Sequence, residues 1–177
     1  KCDCTDRESL ERVRSNIIDE WDGLDVVVAN VGDGSSVPDI LPSEEQWQKI
    51  WNNNFEVALN TARTFLPMLE KSNGCLLFIS SIAGLEAFGA PTDYSTAKAA
   101  IIALTKNLSR KLAPSVRVNV IAPGNIYFKG GSWDNKINQD KKQIDKIIKS
   151  TVPMSRFGSP EEIAASAVFL CSDKASF

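Results

Sequence analysis

The apolar positions of the chain fall into two periods. Leu76, Leu77, Phe78 and Ile79 form an unbroken apolar run, the pattern of a strand covered on both faces. Leu24 to Asn30 (LDVVVAN) reads as another buried strand, and Val116 to Ile121 (VRVNVI) as a third. Elsewhere the spacing is helical. Leu10, Val13, Ile17, Ile18 and Trp21 outline a helix that a Thr5-x-x-Glu8 capping box opens and Gly23 closes. A second helix opens on Ser43-Glu44-Glu45-Gln46 and runs to about Leu69; its apolar set is too broad for one stripe. A third runs from Thr92 to residue 113, where Pro114 stops it, and residues 99–104 have no polar face. A last helix opens on Ser159-Pro160-Glu161-Glu162, with proline at its first position, and reaches Leu170. Strands alternating with helices predict an α/β architecture with a parallel sheet.

Composition narrows the class. A chain of 177 residues, 43% hydrophobic and 24% charged, suits one globular domain. A net charge of −2 argues against a nucleic-acid partner. No window holds eighteen apolar residues, so no membrane-spanning helix is expected. There is no histidine, which excludes histidine triads and histidine-ligated zinc. The four cysteines read as reduced thiols, consistent with a cytoplasmic enzyme. Cys2 and Cys4 lack partners for a metal, and no metal site is expected.

The chemistry concentrates at residues 76–98. Two serines close the 76–79 strand, a glycine-bearing loop follows, and the 92–113 helix begins. Tyr94 and Lys98 stand four apart, on one helix face. Ser81 lies at the carboxyl end of the strand, where open α/β sheets bind ligands. A phenol titrates near ~10 and is a poor acid or base at neutral pH. An ammonium one turn away favours the phenolate and is expected to lower that value, tuning the phenol for acid–base work. A serine hydroxyl can meanwhile hold a substrate oxygen.

Ser81, Tyr94 thirteen residues on and Lys98, after an ISSIAG strand end, resemble the active-site signature of the short-chain dehydrogenase/reductase family. The similarity extends along nearly the whole chain. Cys2-Asp3-Cys4-Thr5-Asp6 resembles the family's Asp-Val-Thr-Asp element, which implies an adenine contact for Asp3. Ala29-Asn30-Val31-Gly32 resembles Asn-Asn-Ala-Gly and implies that Asn30 lines the adenosine-ribose side. Asn54 matches the family's active-site asparagine. Pro123-Gly124 and Ile126 resemble the element beside the nicotinamide, with Phe128 where a threonine is usual.

The resemblance implies a partial Rossmann-type, doubly wound parallel sheet whose N-terminal half and last strand lie outside residues 1–177. It implies an NAD- or NADP-dependent oxidoreductase acting on a small-molecule carbonyl or alcohol, with acyl-carrier-linked and sugar-derived compounds among the candidates. The flavour is close to 3-oxoacyl-[acyl-carrier-protein] reductases. Tyr94 is then the general acid/base and Lys98 holds the nicotinamide ribose. Ser81 orients substrate, and Asn54 positions a water that links Lys98 to solvent. Residues 127–157 are expected to form a substrate lid around a short helix. The helices near 43–69 and 92–113 are expected to pair copies into a homodimer or homotetramer. Gly32-Asp33-Gly34 is no phosphate loop, since Val37 stands where a third glycine belongs; a mobile loop is expected there. The rival expectations are a non-catalytic dinucleotide sensor or scaffold, and an inactive fragment.

Overall fold

The three expected strands pair in parallel, in chain order. A computed structural model describes residues 1–177. β1 (Val26–Ala29), β2 (Cys75–Ile79) and β3 (Arg117–Ile121) form one sheet in the order β1-β2-β3. Val26 pairs with Cys75 and Ala29 with Phe78; Cys75 pairs with Arg117 and Ile79 with Ile121. This register brings the carboxyl ends of all three strands, and the loops after them, to one end of the sheet.

Helices separate the strands, as parallel pairing requires. α1 (Arg7–Trp21) precedes β1, and α2 (Glu44–Trp51) and α3 (Val57–Ser72) lead to β2. α4 (Thr92–Leu112) connects β2 to β3; α5 (Ser132–Thr151) and α6 (Pro160–Cys171) follow. Val27, Ala29, Leu76, Phe78 and Val118 share one core with Ala58, Ala62 and Phe65 of α3, Ile101 of α4 and Leu10 of α1. α6 packs against β2 and β3. Leu76, Leu77 and Phe78 are fully buried, each contributing about 1.5–3 kcal/mol.

Several boundaries differ from expectation for physical reasons. α1 is capped by Asp6, whose carboxylate accepts from the N–H groups of Glu8 and Ser9, rather than by Thr5. The Thr5 hydroxyl is engaged with Asp3 at 2.7 Å. β1 is an edge strand and only half buried: Val27 and Ala29 point into the core, while Val26 and Val28 are exposed. Its second face has no helix over it, because α6 reaches only β2 and β3. The long 43–69 helix is interrupted by a π turn at Asn52–Glu56. The helix expected to be short within 127–157 is instead twenty residues long, kinked at Asp140, whose carboxylate receives the Gln143 N–H. The Ser159/Glu162 capping box forms as expected. No helix is long and apolar enough to cross a membrane.

Candidate active site

Four elements converge at the carboxyl end of the sheet. Ser81 caps a single 3₁₀ turn (Ile82–Gly84), its hydroxyl accepting from the Ala83 N–H at 3.2 Å. Gly84 lies against the backbone of α4: a Cβ there would come within 2.7 Å of Ala99 N and of the Lys98 carbonyl carbon. That close approach, open only to glycine, lets the Ser81 turn press onto the helix that carries Tyr94 and Lys98. The Ser80 hydroxyl donates to the Lys98 carbonyl at 2.7 Å and locks the same junction.

Lys98 is 5% exposed, yet no carboxylate pairs with it. Its ammonium stands 5.7 Å from the centroid of the Tyr94 ring and donates to the Ile79 carbonyl at 3.3 Å. Burial draws its pKa down to about 8. The Tyr94 phenol is raised by burial, and the Ser81 hydroxyl offsets this only in part. The expected lowering of the phenol by Lys98 is therefore not found. Desolvation outweighs it, with the ammonium drawn toward Ile79.

Asn54 is completely buried in the π turn. Such turns recur at functional sites. Its amide donates to the carbonyls of Asp33 (2.8 Å) and Ile50 (2.9 Å), and its Oδ1 accepts from the Asp33 N–H at 3.2 Å. Asn54 thus holds the loop that follows β1. The same loop is fastened twice more. The Ser36 hydroxyl donates to the buried Asp93 carboxylate at 2.7 and 2.6 Å, and the Thr92 hydroxyl donates to the Ile40 carbonyl at 2.9 Å. The Gly32-Asp33-Gly34 loop, expected to be mobile, is tied by hydrogen bonds to Asn54, and the segment after it to Asp93 and Thr92. Gly34 lies over the Tyr94 ring, where a Cβ would stand 3.9 Å from Cε2.

The remaining expected residues lie further out. The Pro123 carbonyl receives the Ile82 N–H at 3.0 Å, which joins the loop after β3 to the Ser81 turn. Gly124 faces Ile82, and Ile126 bridges to Gly158. Phe128, where threonine was expected, is exposed and its ring covers Gly131. Asn30 is exposed just past β1. Asp3 is exposed before α1, where bonds from Thr5 hold its carboxyl below the usual range. Ser81, Tyr94, Lys98 and Asn54 form one cluster; Asp3 makes no bond to it. Asp93 was missed in the sequence. Asp93 directly precedes Tyr94 in the first helical turn, a position that favours a carboxylate.

Comparison with known proteins is consistent across the chain. A family profile described as Enoyl-(Acyl carrier protein) reductase matches residues 1–177. The chain is 30% identical over 175 residues to the 3-oxoacyl-[acyl-carrier-protein] reductase FabG of Thermotoga maritima, covering 98% of this chain and 69% of that protein. It is 30% identical over 181 residues to the Dehydrogenase/reductase SDR family member 4 of Mus musculus, covering 99% and 63%. A solved 7 alpha-hydroxysteroid dehydrogenase, complexed with NADH and 7-oxo glycochenodeoxycholic acid, superposes with a TM-score of 0.86 at 29% identity, covering 99% of this chain and 67% of that one. The chain spans 62–69% of the length of the curated relatives it matches.

Proposed function

The chain belongs to the short-chain dehydrogenase/reductase family, and from that premise we propose that it carries the catalytic centre of an NAD(P)-dependent oxidoreductase interconverting a carbonyl and an alcohol. One observation carries the proposal: a buried ammonium without a carboxylate partner, Lys98, stands beside a phenol and a serine hydroxyl at a ligand-binding sheet end. Burying a charge is costly, and a purely structural lysine would be paired.

The residues present fit the nicotinamide–ribose end of a dinucleotide. Lys98 uses one of its three donors, on Ile79, so two are left for ribose hydroxyls. Gly32 lets the Lys98 ammonium and the Asn54 amide lie against the loop after β1, and Gly34 lets the same loop lie against the Tyr94 ring. The dinucleotide, when bound, supplies the hydride for reduction and accepts it for oxidation. Ser81 donates a hydrogen bond to the substrate oxygen and fixes it beside Tyr94. Tyr94 gives its phenolic proton to that oxygen as the C=O bond becomes an alcohol. In the reverse direction the phenolate takes the proton back. Lys98 stabilises the phenolate by its charge. Asn54 holds the loop over Lys98 and orders a water that links Lys98 to solvent. Asp3, Asn30, Pro123, Gly124 and Ile126 contact the rest of the cofactor, and 127–157 closes over substrate. Copies pair through α2–α3 and α4.

Tyr94→Phe in the intact protein tests this reading. Loss of the general acid lowers the rate by about 10²–10⁴ while nicotinamide binding persists. Turnover within tenfold of the parent would refute it.

A further inference from the structure

We propose that the substrate of this site carries its reacting carbonyl or alcohol on an apolar skeleton, and that Leu85, Phe88, Tyr127 and Phe128 select it. The inference rests on the oxidoreductase reading of Ser81 and Tyr94 and adds the substrate class.

These four large apolar side chains are exposed by 58%, 63%, 38% and 54%. They belong to the two loops that leave the carboxyl ends of β2 and β3, where open α/β sheets take their ligands. Exposed apolar side chains gathered at a ligand-binding sheet end point to a binding site. The loops are joined at their bases by the Ile82–Pro123 backbone bond and by Gly124 lying against Ile82. Leu85 follows the 3₁₀ turn that Ser81 opens, and its N–H bonds the Ile82 carbonyl at 2.9 Å. Leu85 thus directly follows the turn that carries the Ser81 hydroxyl.

The two aromatic side chains after β3 are ordered by contacts within their own segment. The Tyr127 hydroxyl donates to Asp134 at 2.9 Å, so its polar end is occupied and its ring remains as surface. The Phe128 ring covers Gly131 so closely that a Cβ there would approach three ring carbons to between 2.8 and 3.0 Å. The two loops themselves carry little charge, and the nearby Asp134 carboxylate is engaged by Tyr127 and the Gly130 N–H. Residues 82–91 contribute Glu86 alone, and residues 122–131 contribute Lys129 alone. A phosphorylated or carboxylate substrate asks for forked or clustered cations, and a sugar asks for several side-chain donors and acceptors. Neither loop provides them. The occupant that matches both loops is a neutral ring system or hydrocarbon chain bearing one oxygen.

The test compares kcat/KM of the intact protein for a bicyclic ketone, decalone, and for a hydroxylated ketone, dihydroxyacetone, with NADH and NADPH. Decalone is expected to be favoured by about a hundredfold, from the apolar area it buries. The Leu85→Ser/Phe88→Ser double variant is expected to shrink that ratio at least about tenfold, through KM. Equal or better use of dihydroxyacetone overturns the inference and leaves the oxidoreductase reading standing. If neither ketone is turned over, that reading fails. The apolar side chains are then judged by NMR titration of the intact protein with decalone. Shifts at Leu85, Phe88 and Phe128 that the double variant loses support the inference. No shifts, or shifts that follow protein concentration because a second copy covers these side chains, overturn it.

Discussion

Asn54 Oδ1 and Lys98 Nζ meet across Gly32: each lies 3.0 Å from the point where a Cβ on that glycine would stand. Two residues 44 positions apart in sequence are therefore brought to one point by an absent side chain.

Gly32→Ala should wedge these two groups apart. The added carbon is tighter to both than ordinary contact allows, and both are buried. Overpacking of this kind costs about 1–3 kcal/mol, and displacing a catalytic group by an ångström lowers rates by up to about a hundredfold. Kinetics of the intact protein should show the loss while its circular dichroism is unchanged. Parent-level activity would mean that the site tolerates movement of Lys98.

Lys98→Met should stabilise the fold at neutral pH. Burial lowers the pKa of Lys98 from 10.5 to about 8, so between these values the folded state binds fewer protons than the unfolded state. Stability then rises with pH across that window. The burial penalty is fully present below pH 8, on the order of 3 kcal/mol, and is relieved as pH approaches 10.5. Urea unfolding at pH 7, 9 and 10.5 checks this. The variant should be more stable at pH 7, and its advantage should vanish by pH 10.5. A constant difference would show that its charge is not the cause.

Ser36→Ala should release the loop after β1. Asp93 is 1% exposed and receives its side-chain bonds from Ser36. Removing them leaves a buried carboxylate short of partners, at about 1–3 kcal/mol. Hydrogen exchange should accelerate at residues 33–41 more than in β2. Unchanged protection there would show that the Thr92 and Asn54 bonds suffice alone.

This loop also shows where the sequence was legible and where it was not. β2 could be read because its four apolar residues have no other use than burial on both faces. Tyr94 and Lys98 could be read because helical spacing fixes their shared face. The pinning of the loop could not, because it depends on Asp93, Thr92 and Asn54, which only tertiary folding brings to it. The π turn was equally hidden: Asn52, Asn53 and Asn54 hinted at an irregularity without giving its geometry. The direction of the Tyr94 shift failed for the same reason. Spacing predicted the neighbour but not the depth of burial, and burial is the larger effect. β1 read as buried from Val26-Val27-Val28, yet alternate residues face outward because α6 does not extend over it.

Residues 127–157 should become more protected when cofactor and substrate bind together. The segment holds Gly130 and Gly131 at its base and a kink at Asp140, and only Ile144 and Ile148 of α5 are buried hydrophobics. A helix so thinly anchored is suited to closing over substrate and excluding water. Hydrogen exchange of the intact protein, with and without both ligands, should slow here more than in α4. Equal protection in the two states would refute the lid.

Residues 1–177 alone should bind dinucleotide weakly and dissolve poorly. Pyrophosphate is held by backbone N–H groups where a glycine-rich turn enters a helix. Gly32-Asp33-Gly34 is the nearest approach to such a turn, but α2 does not begin until Glu44, and the loop between is committed to Asn54, Asp93 and Thr92. The ribose contact proposed for Lys98 and Tyr94 is a small part of the binding free energy of a dinucleotide. The sheet adds the second difficulty. β1 stands at its edge, with Val26 and Val28 exposed by 38% and 45% and Val31 just beyond exposed by 53%. An open apolar edge pairs readily with other chains. Calorimetric titration of this chain with NADH and NADPH, together with light scattering, measures both effects. A dissociation constant on the order of micromolar from a monodisperse solution would show that the Lys98 cluster suffices to anchor the cofactor and that the β1 edge is harmless.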